Sequence, residues 1–319
     1  MGYPYSGNSP ITWLSDQRVI IHTNDQFLEG TPCHNDFKQV TDQSQLPASV
    51  NPSASFSPSG RYLAVNENLS TPNLDARTLV SDAKTNRVEQ EIKWRHLDSE
   101  GPLPAPIWLN DNQFLIQSTL DRGPLLVTVG QEAIEVAPTL FGRPSKVECT
   151  DTPCDASLAA KAAALKGTST YHIALYAIGH VSSFSKVLLY HSENERVEEL
   201  PFQEFGDFSP DGQALIGYEE GYRAWMRAVD PVGSDAHLFL AQPANLFPVR
   251  WSPDGNLLAV SSSNGISIFS VHDGTRIGFW DTGGYSVFPA VWSPNNKLLA
   301  VQGYLPNGGE EALFVLHTP

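Results

Sequence analysis

Nine histidines lie along the chain, at positions 22, 34, 96, 172, 180, 191, 237, 272 and 317. Imidazoles that share a metal from one element recur at i, i+2 or i, i+4; no two of these do, although His180 and His191 flank one hairpin. Structural or solvated imidazoles are therefore the expectation for each. A metal gathered at an axis from several repeats is a case that spacing does not exclude. Covalent catalysis fares no better. There is no Gly-x-Ser-x-Gly elbow, no P-loop, no Gly-x-Gly-x-x-Gly, no His-Glu-x-x-His and no EF-hand loop. The expectation is no catalytic residue, no metal and no cofactor. Cys149 and Cys154, in Cys-Thr-Asp-Thr-Pro-Cys, either close a small disulfide loop, leaving Cys33 over, or stand as free thiols.

Composition narrows the partners. The net charge of −15 repels phosphate backbones and anionic lipid, so neither nucleic acid nor direct membrane insertion is expected. No run of 18 apolar residues exists to span a bilayer. The sparse charge, 17%, with many Ser, Thr, Asn and Pro, inclines toward an extracytoplasmic setting, periplasmic or secreted. The opening MGYPYSGNSP has no signal-peptide pattern, which leaves a removed leader or a cytoplasmic location as alternatives. Asn68-Leu69-Ser70 reads as a glycosylation sequon only in a eukaryotic secretory route.

The elements that must position any site come from an internal repeat. An aromatic is followed by Ser-Pro, then Asp, Ser or Asn, then Gly or Asn, then an apolar strand. Copies run from Phe56 to Gly60, Phe208 to Gly212, Trp251 to Gly255 and Trp292 to Asn296. Weaker copies start at Trp13 and Trp108, and a seventh, Lys166-Gly-Thr-Ser-Thr170, has lost both aromatic and proline. The anchors at 13, 56, 108, 166, 208, 251 and 292 are 43, 52, 58, 42, 43 and 41 residues apart. A period near 42 with room for four strands predicts an all-β fold: a seven-bladed β-propeller of four-stranded antiparallel blades, one domain over 1–319. Pro presets φ in each turn, and Gly accepts the positive φ that follows. The aromatic is expected to end the first strand and pack between neighbouring blades. Closure of the ring by an N-terminal strand falls to Tyr3–Tyr5. An insertion at 137–167, between the third and fourth blades, carries the alanine-rich Ser157–Leu165, which predicts a short helix.

The Ser-Pro-Asp-Gly-x-x-Leu-Ala-Val repeat, as at Ser252–Val260, resembles TolB-like and WD40-like propeller repeats of bacterial proteins and covers nearly the whole chain. The Gly-His and Trp-Asp pairs of the eukaryotic form are missing, Trp280-Asp281 excepted. The resemblance implies a periplasmic protein that binds protein partners without chemistry, although TolB's separate N-terminal domain has no counterpart here.

The repeat frame also aligns residues. Those just before the anchors are Thr12, Ser55, Ile107, Leu165, Asp207, Arg250 and Val291, sharing one environment on the first strands. Asp207 and Arg250 then meet on adjacent blades as a channel-lining pair, either fixing blade packing or facing a ligand. Candidate binding residues in loops between strands and blades are Trp94, Arg95, His96, Arg122, Arg143, Tyr285 and Tyr304, since aromatics and Arg dominate binding hot spots. Three functions fit: a non-catalytic scaffold that binds a protein or peptide on its loop-rich face, a lactonase- or glycan-acting hydrolase with an axial site, or a structural subunit docking through 137–167.

Overall fold

The structure, a computed structural model, describes residues 11–15, 17–23, 26–32, 34, 36–40, 51, 53–69, 75–95, 103, 105–116, 124–136, 157–164, 170–178, 187–200, 202, 204–218, 224–228, 237–240, 249–262, 265–287, 290–304 and 311–318. Every regular element among them is a strand. Sheet 1 holds β1 (Ile11–Ser15), β2 (Arg18–Thr23), β3 (Gln26–Gly30) and β4 (Lys38–Gln39). Sheet 2 holds β5 (Ala54–Phe56), β6 (Tyr62–Asn68), β7 (Asp75–Asp82) and β8 (Val88–Arg95). In sheet 3 are β9 (Ile107–Asn110), β10 (Gln113–Ile116), β11 (Leu125–Thr128) and β12 (Ile134–Glu135). Sheet 4 comprises β13 (Ser157–Ala164), β14 (Tyr171–Ile178), β15 (Val187–His191) and β16 (Arg196–Leu200). Sheet 5 comprises β17 (Glu204–Phe208), β18 (Ala214–Tyr218), β19 (Ala224–Ala228) and β20 (His237–Leu240). Sheet 6 has β21 (Arg250–Trp251), β22 (Leu257–Ser262), β23 (Gly265–Ser270) and β24 (Arg276–Asp281). Sheet 7 has β25 (Ser286–Val287), β26 (Val291–Trp292), β27 (Leu298–Tyr304) and β28 (Glu311–His317).

Sheets 1 to 6 are antiparallel meanders in simple neighbour order. Sheet 7 departs from the expected four-across blade. β25 pairs with Gly303–Tyr304 and β26 with Leu299–Ala300, so both occupy one edge of β27 and β28 takes the other. The interruption falls where the sequence carries Pro289, which has no N–H to give a ladder. The expectation of seven equal four-stranded blades is thus corrected to six regular sheets and one that is three strands across.

A second correction concerns the alanine-rich segment. Ser157–Ala164 is not helical: it is β13, paired residue for residue with β14 from Ser157↔Ile178 to Ala164↔Tyr171. Eight residues are too few for alanine propensity to offset helix nucleation, whereas a ladder to β14 satisfies the backbone of this segment. In the other sheets the second strand resumes six residues after Phe56, Phe208, Trp251 and Trp292 and five after Trp13 and Trp108; the fourth anchor, Lys166, five residues before Tyr171, lies outside the described residues. Residues 137–156, Cys33, Cys149, Cys154 and the closing-strand candidate Tyr3–Tyr5 lie outside the described residues.

The chain divides into two compact units, Met1–Ser6 with Pro47–Glu204 and Gly7–Leu46 with Phe205–Pro319. In the first, sheets 2 and 3 share a core around Ala64, Val80, Phe114 and Val127. Sheets 3 and 4 share a second, around Leu115, Leu126 and Ile173. In the second unit, Ile216, Trp251, Leu258 and Phe269 join sheets 5 and 6. Ile268, Trp292, Leu299 and Val301 join sheets 6 and 7, and Ile11, Val19 and Ala300 join sheets 7 and 1.

The Ser-Pro-Asp-Gly segment earns its recurrence through hydrogen bonds. Ser252 is wholly buried; its Oγ donates to Asp254 Oδ1 (2.6 Å) and accepts the Leu257 N–H (2.9 Å). Its backbone N–H reaches Leu257 O, and the Gly255 N–H reaches Ser252 O. Ser209 with Asp211 and Ala214, and Ser293 with Asn295 and Leu298, repeat the pattern. The fourth turn position has φ of 77° at Gly255 and 63° at Asn296, the left-handed region that Gly and Asn tolerate best.

Candidate functional site

In sheets 1, 2, 3, 5 and 6 the first strand carries the anchor and, one residue earlier, the aligned position; in sheet 7 β26 carries them, and in sheet 4 both lie outside the described residues. A rule not foreseen from sequence links them. Each anchor indole donates Nε1–H to the backbone carbonyl of the aligned position in the preceding sheet: Trp108 to Ser55 (3.1 Å), Trp251 to Asp207 (3.4 Å), Trp292 to Arg250 (3.1 Å) and Trp13 to Val291 (3.0 Å). The anchors therefore pack between sheets, as expected, and also fix the height at which the aligned residues sit. Phe56 and Phe208 lack the N–H that this bond requires.

Side chains at the aligned position differ in what they do. Ser55 Oγ donates to Pro106 O at 2.5 Å, so that hydroxyl is spent on sheet packing. Asp207 and Arg250 meet as expected, with Arg250 Nη1 3.5 Å from Asp207 Oδ2, and Asp207 Oδ1 accepts the Phe208 N–H at 3.0 Å. The carboxylate is 33% exposed and the guanidinium 18%, so the pair is neither sealed nor free in solvent. Such a pair contributes little to stability, about 0–1 kcal/mol.

Of the loop candidates, Trp94 is a correction. It is buried in β8, its indole N–H bound to Thr78 Oγ1 at 2.9 Å, and Thr78 in turn donates to Asn66 Oδ1 at 2.6 Å. Alternation along an eight-residue strand turns it inward. Tyr285 packs its ring edge-on against Phe314 at 5.4 Å and is half-buried. Arg95 ends β8 opposite Asp75, and Tyr304 ends β27 opposite Ser286 and Glu311. His96, Arg122 and Arg143 lie outside the described residues.

The sequence reading missed a buried polar cluster in sheet 4. His172 and His191 are cross-strand partners, both nearly inaccessible, with ring centroids 4.8 Å apart and edge-on. Arg196 Nη2 lies 3.2 Å from His191 Nε2 and 3.1 Å from Glu198 Oε2. Burial, helped by Tyr190 and Glu195, pushes the neighbouring Tyr171 phenol up to about 12, so it stays neutral at ordinary pH. His172 is the second residue of β14 and His191 the last of β15, and the register of that hairpin brings them together. Among the described residues no three His, Cys, Asp or Glu converge as a metal site, and no helix is long and apolar enough to cross a membrane.

Against solved structures, the chain matches the β-propeller domain of Cps50 (Swd1) from Myceliophteria thermophila with a TM-score of 0.57 and 13% identity, covering 98% of both chains. The fold is a β-propeller. A propeller with 14% identity and a TM-score of 0.60 also aligns within a prolyl endopeptidase structure, covering 97% of this chain but 46% of that one. No family model matches, and no curated protein does.

Proposed function

We propose that this β-propeller is a non-catalytic binding module that recognises a protein or peptide. The observation that carries this reading is the Asp207–Arg250 pair, half-open on adjacent first strands and held in place by the Trp251 and Trp292 indole bonds to its own carbonyls. Support also comes from the kinship of fold with the Swd1 propeller domain. Arg95, His96, Arg122, Arg143, Tyr285 and Tyr304 remain further candidate contacts in this reading, each taken by itself. A TolB-like ancestry and an extracytoplasmic location go with it, as does a Cys149–Cys154 disulfide.

Affinity capture with the full chain, followed by titration of the recovered partner against wild type and Arg250→Ala, tests the proposal. Binding weakened at least tenfold with unchanged thermal stability supports it. Unchanged affinity removes the pair from the site. The prolyl endopeptidase neighbour keeps a second reading in view, that of a propeller which accompanies a hydrolase; the aligned portion is under half of that chain. Hydrolysis of a peptide, lactone or glycoside panel by the purified chain would favour that reading instead.

A further inference from the structure

Within the second unit, three seams between neighbouring sheets are described, and they are unequal. The seam of sheets 5 and 6 buries Ile216, Trp251, Leu258 and Phe269, and that of sheets 6 and 7 buries Ile268, Trp292 and Leu299. Across the seam of sheets 7 and 1, the buried apolar side chains among the described residues are Ile11, Val19 and Ala300, one of them a single methyl. Apolar stabilisation scales with the area taken from water, and among the described residues this last seam has the smallest buried apolar cluster. Trp13, Phe37, Val291 and Leu313 pack there only partly buried. One directional tie among the described residues is the Trp13 indole bond to Val291 O at 3.0 Å.

We propose that sheet 1 is a clasp: the seam between sheets 7 and 1 opens ahead of the seams between sheets 5, 6 and 7, and the Trp13 bond sets how often it does. Opening frees β1 from β26 while the ladders of β21–β24 stay paired. The clasp stands independently of any partner, because it rests on the packing of the chain alone. Proteins open locally in cooperative units, and the least apolar contact defines the first to go.

Native-state hydrogen exchange on the full chain tests this, resolved on peptides covering residues 11–21 and 257–270. The expected result is exchange about tenfold or more faster in 11–21 than in 257–270. Trp13→Phe keeps the ring and removes the donor; it should speed 11–21 by about another tenfold, the usual worth of one hydrogen bond, and leave 257–270 unchanged. Equal protection of the two peptides in the wild type would overturn the clasp. That comparison needs no variant, so it decides the matter even if Trp13→Phe fails to fold.

Discussion

Replacing Ser252 by Ala removes two bonds from a buried turn and adds none. The hydroxyl accepts the Leu257 N–H and donates to the Asp254 carboxylate, and Ser252 is wholly inaccessible to water that could substitute. A backbone donor left unsatisfied in this position costs roughly 1–3 kcal/mol, and a bond to a charged acceptor contributes about 1.5–3 kcal/mol. The two losses overlap, so the variant should be about 2–3 kcal/mol less stable. Ser293→Ala supplies the internal control. Its geometry is the same, with Leu298 N–H accepted at 2.9 Å, but the acceptor of its O–H is the neutral amide oxygen of Asn295. Neutral bonds are about half as strong as charge-assisted ones, so Ser293→Ala should cost about 1 kcal/mol less than Ser252→Ala. Urea denaturation followed by tryptophan fluorescence reads both as shifts in midpoint. A loss below about 0.5 kcal/mol for Ser252→Ala, or the reverse order of the two, would refute the claim that this hydroxyl organises the turn.

Other outcomes follow from the same geometry. Asp254 is held below the ordinary carboxylate value: burial pushes it up, but hydrogen bonds from Ser252 and Asn256 more than offset that. Asp82 and Asp273 are lowered chiefly by the backbone N–H groups of Thr85 and Thr275. A depressed folded value stabilises the native state above the unfolded value of 3.8, and the gain disappears as pH falls from there through the folded values. Acid titration of stability should therefore show a descending limb below about pH 4, shallower in Asp254→Asn, the residue type already present at Asn295. Gly265 has φ of 148°, and a Cβ there would collide with the Trp280 carbonyl oxygen; Gly265→Ala should lower the melting temperature by several degrees or prevent folding. Gly130→Ala, at φ of 81° with open space around it, should cost only about 1–2 kcal/mol in the same melting assay. Trp108→Phe removes the donor to Ser55 O and should cost about 1 kcal/mol beyond its lost area, measured by denaturation.

What could be read from sequence was whatever is local. The Ser-Pro-Asp-Gly turns close on themselves within six residues, so the strands after Phe56, Phe208, Trp251 and Trp292 fell where expected. The Asp207–Arg250 pairing was legible because the repeat converts a distance of 43 residues into a neighbour relation. Where local propensity and tertiary pairing disagree, the reading failed. Ser157–Ala164 has the composition of a helix and the pairing of a strand, and its partner Tyr171–Ile178 decides it. Trp94 looked like a loop aromatic because the end of β8 is not marked by any turn residue; its indole is spent on Thr78. The His172–His191 contact needed the register of one hairpin, and the indole-to-carbonyl rule needed coordinates, since backbone acceptors leave no trace in residue type.

The most direct test of the binding-module account is isothermal titration calorimetry of the purified chain with the partner recovered by affinity capture. The account predicts a saturable, stoichiometric heat that returns to baseline after each injection. Continuing heat flow from turnover, or no heat at all, would contradict it.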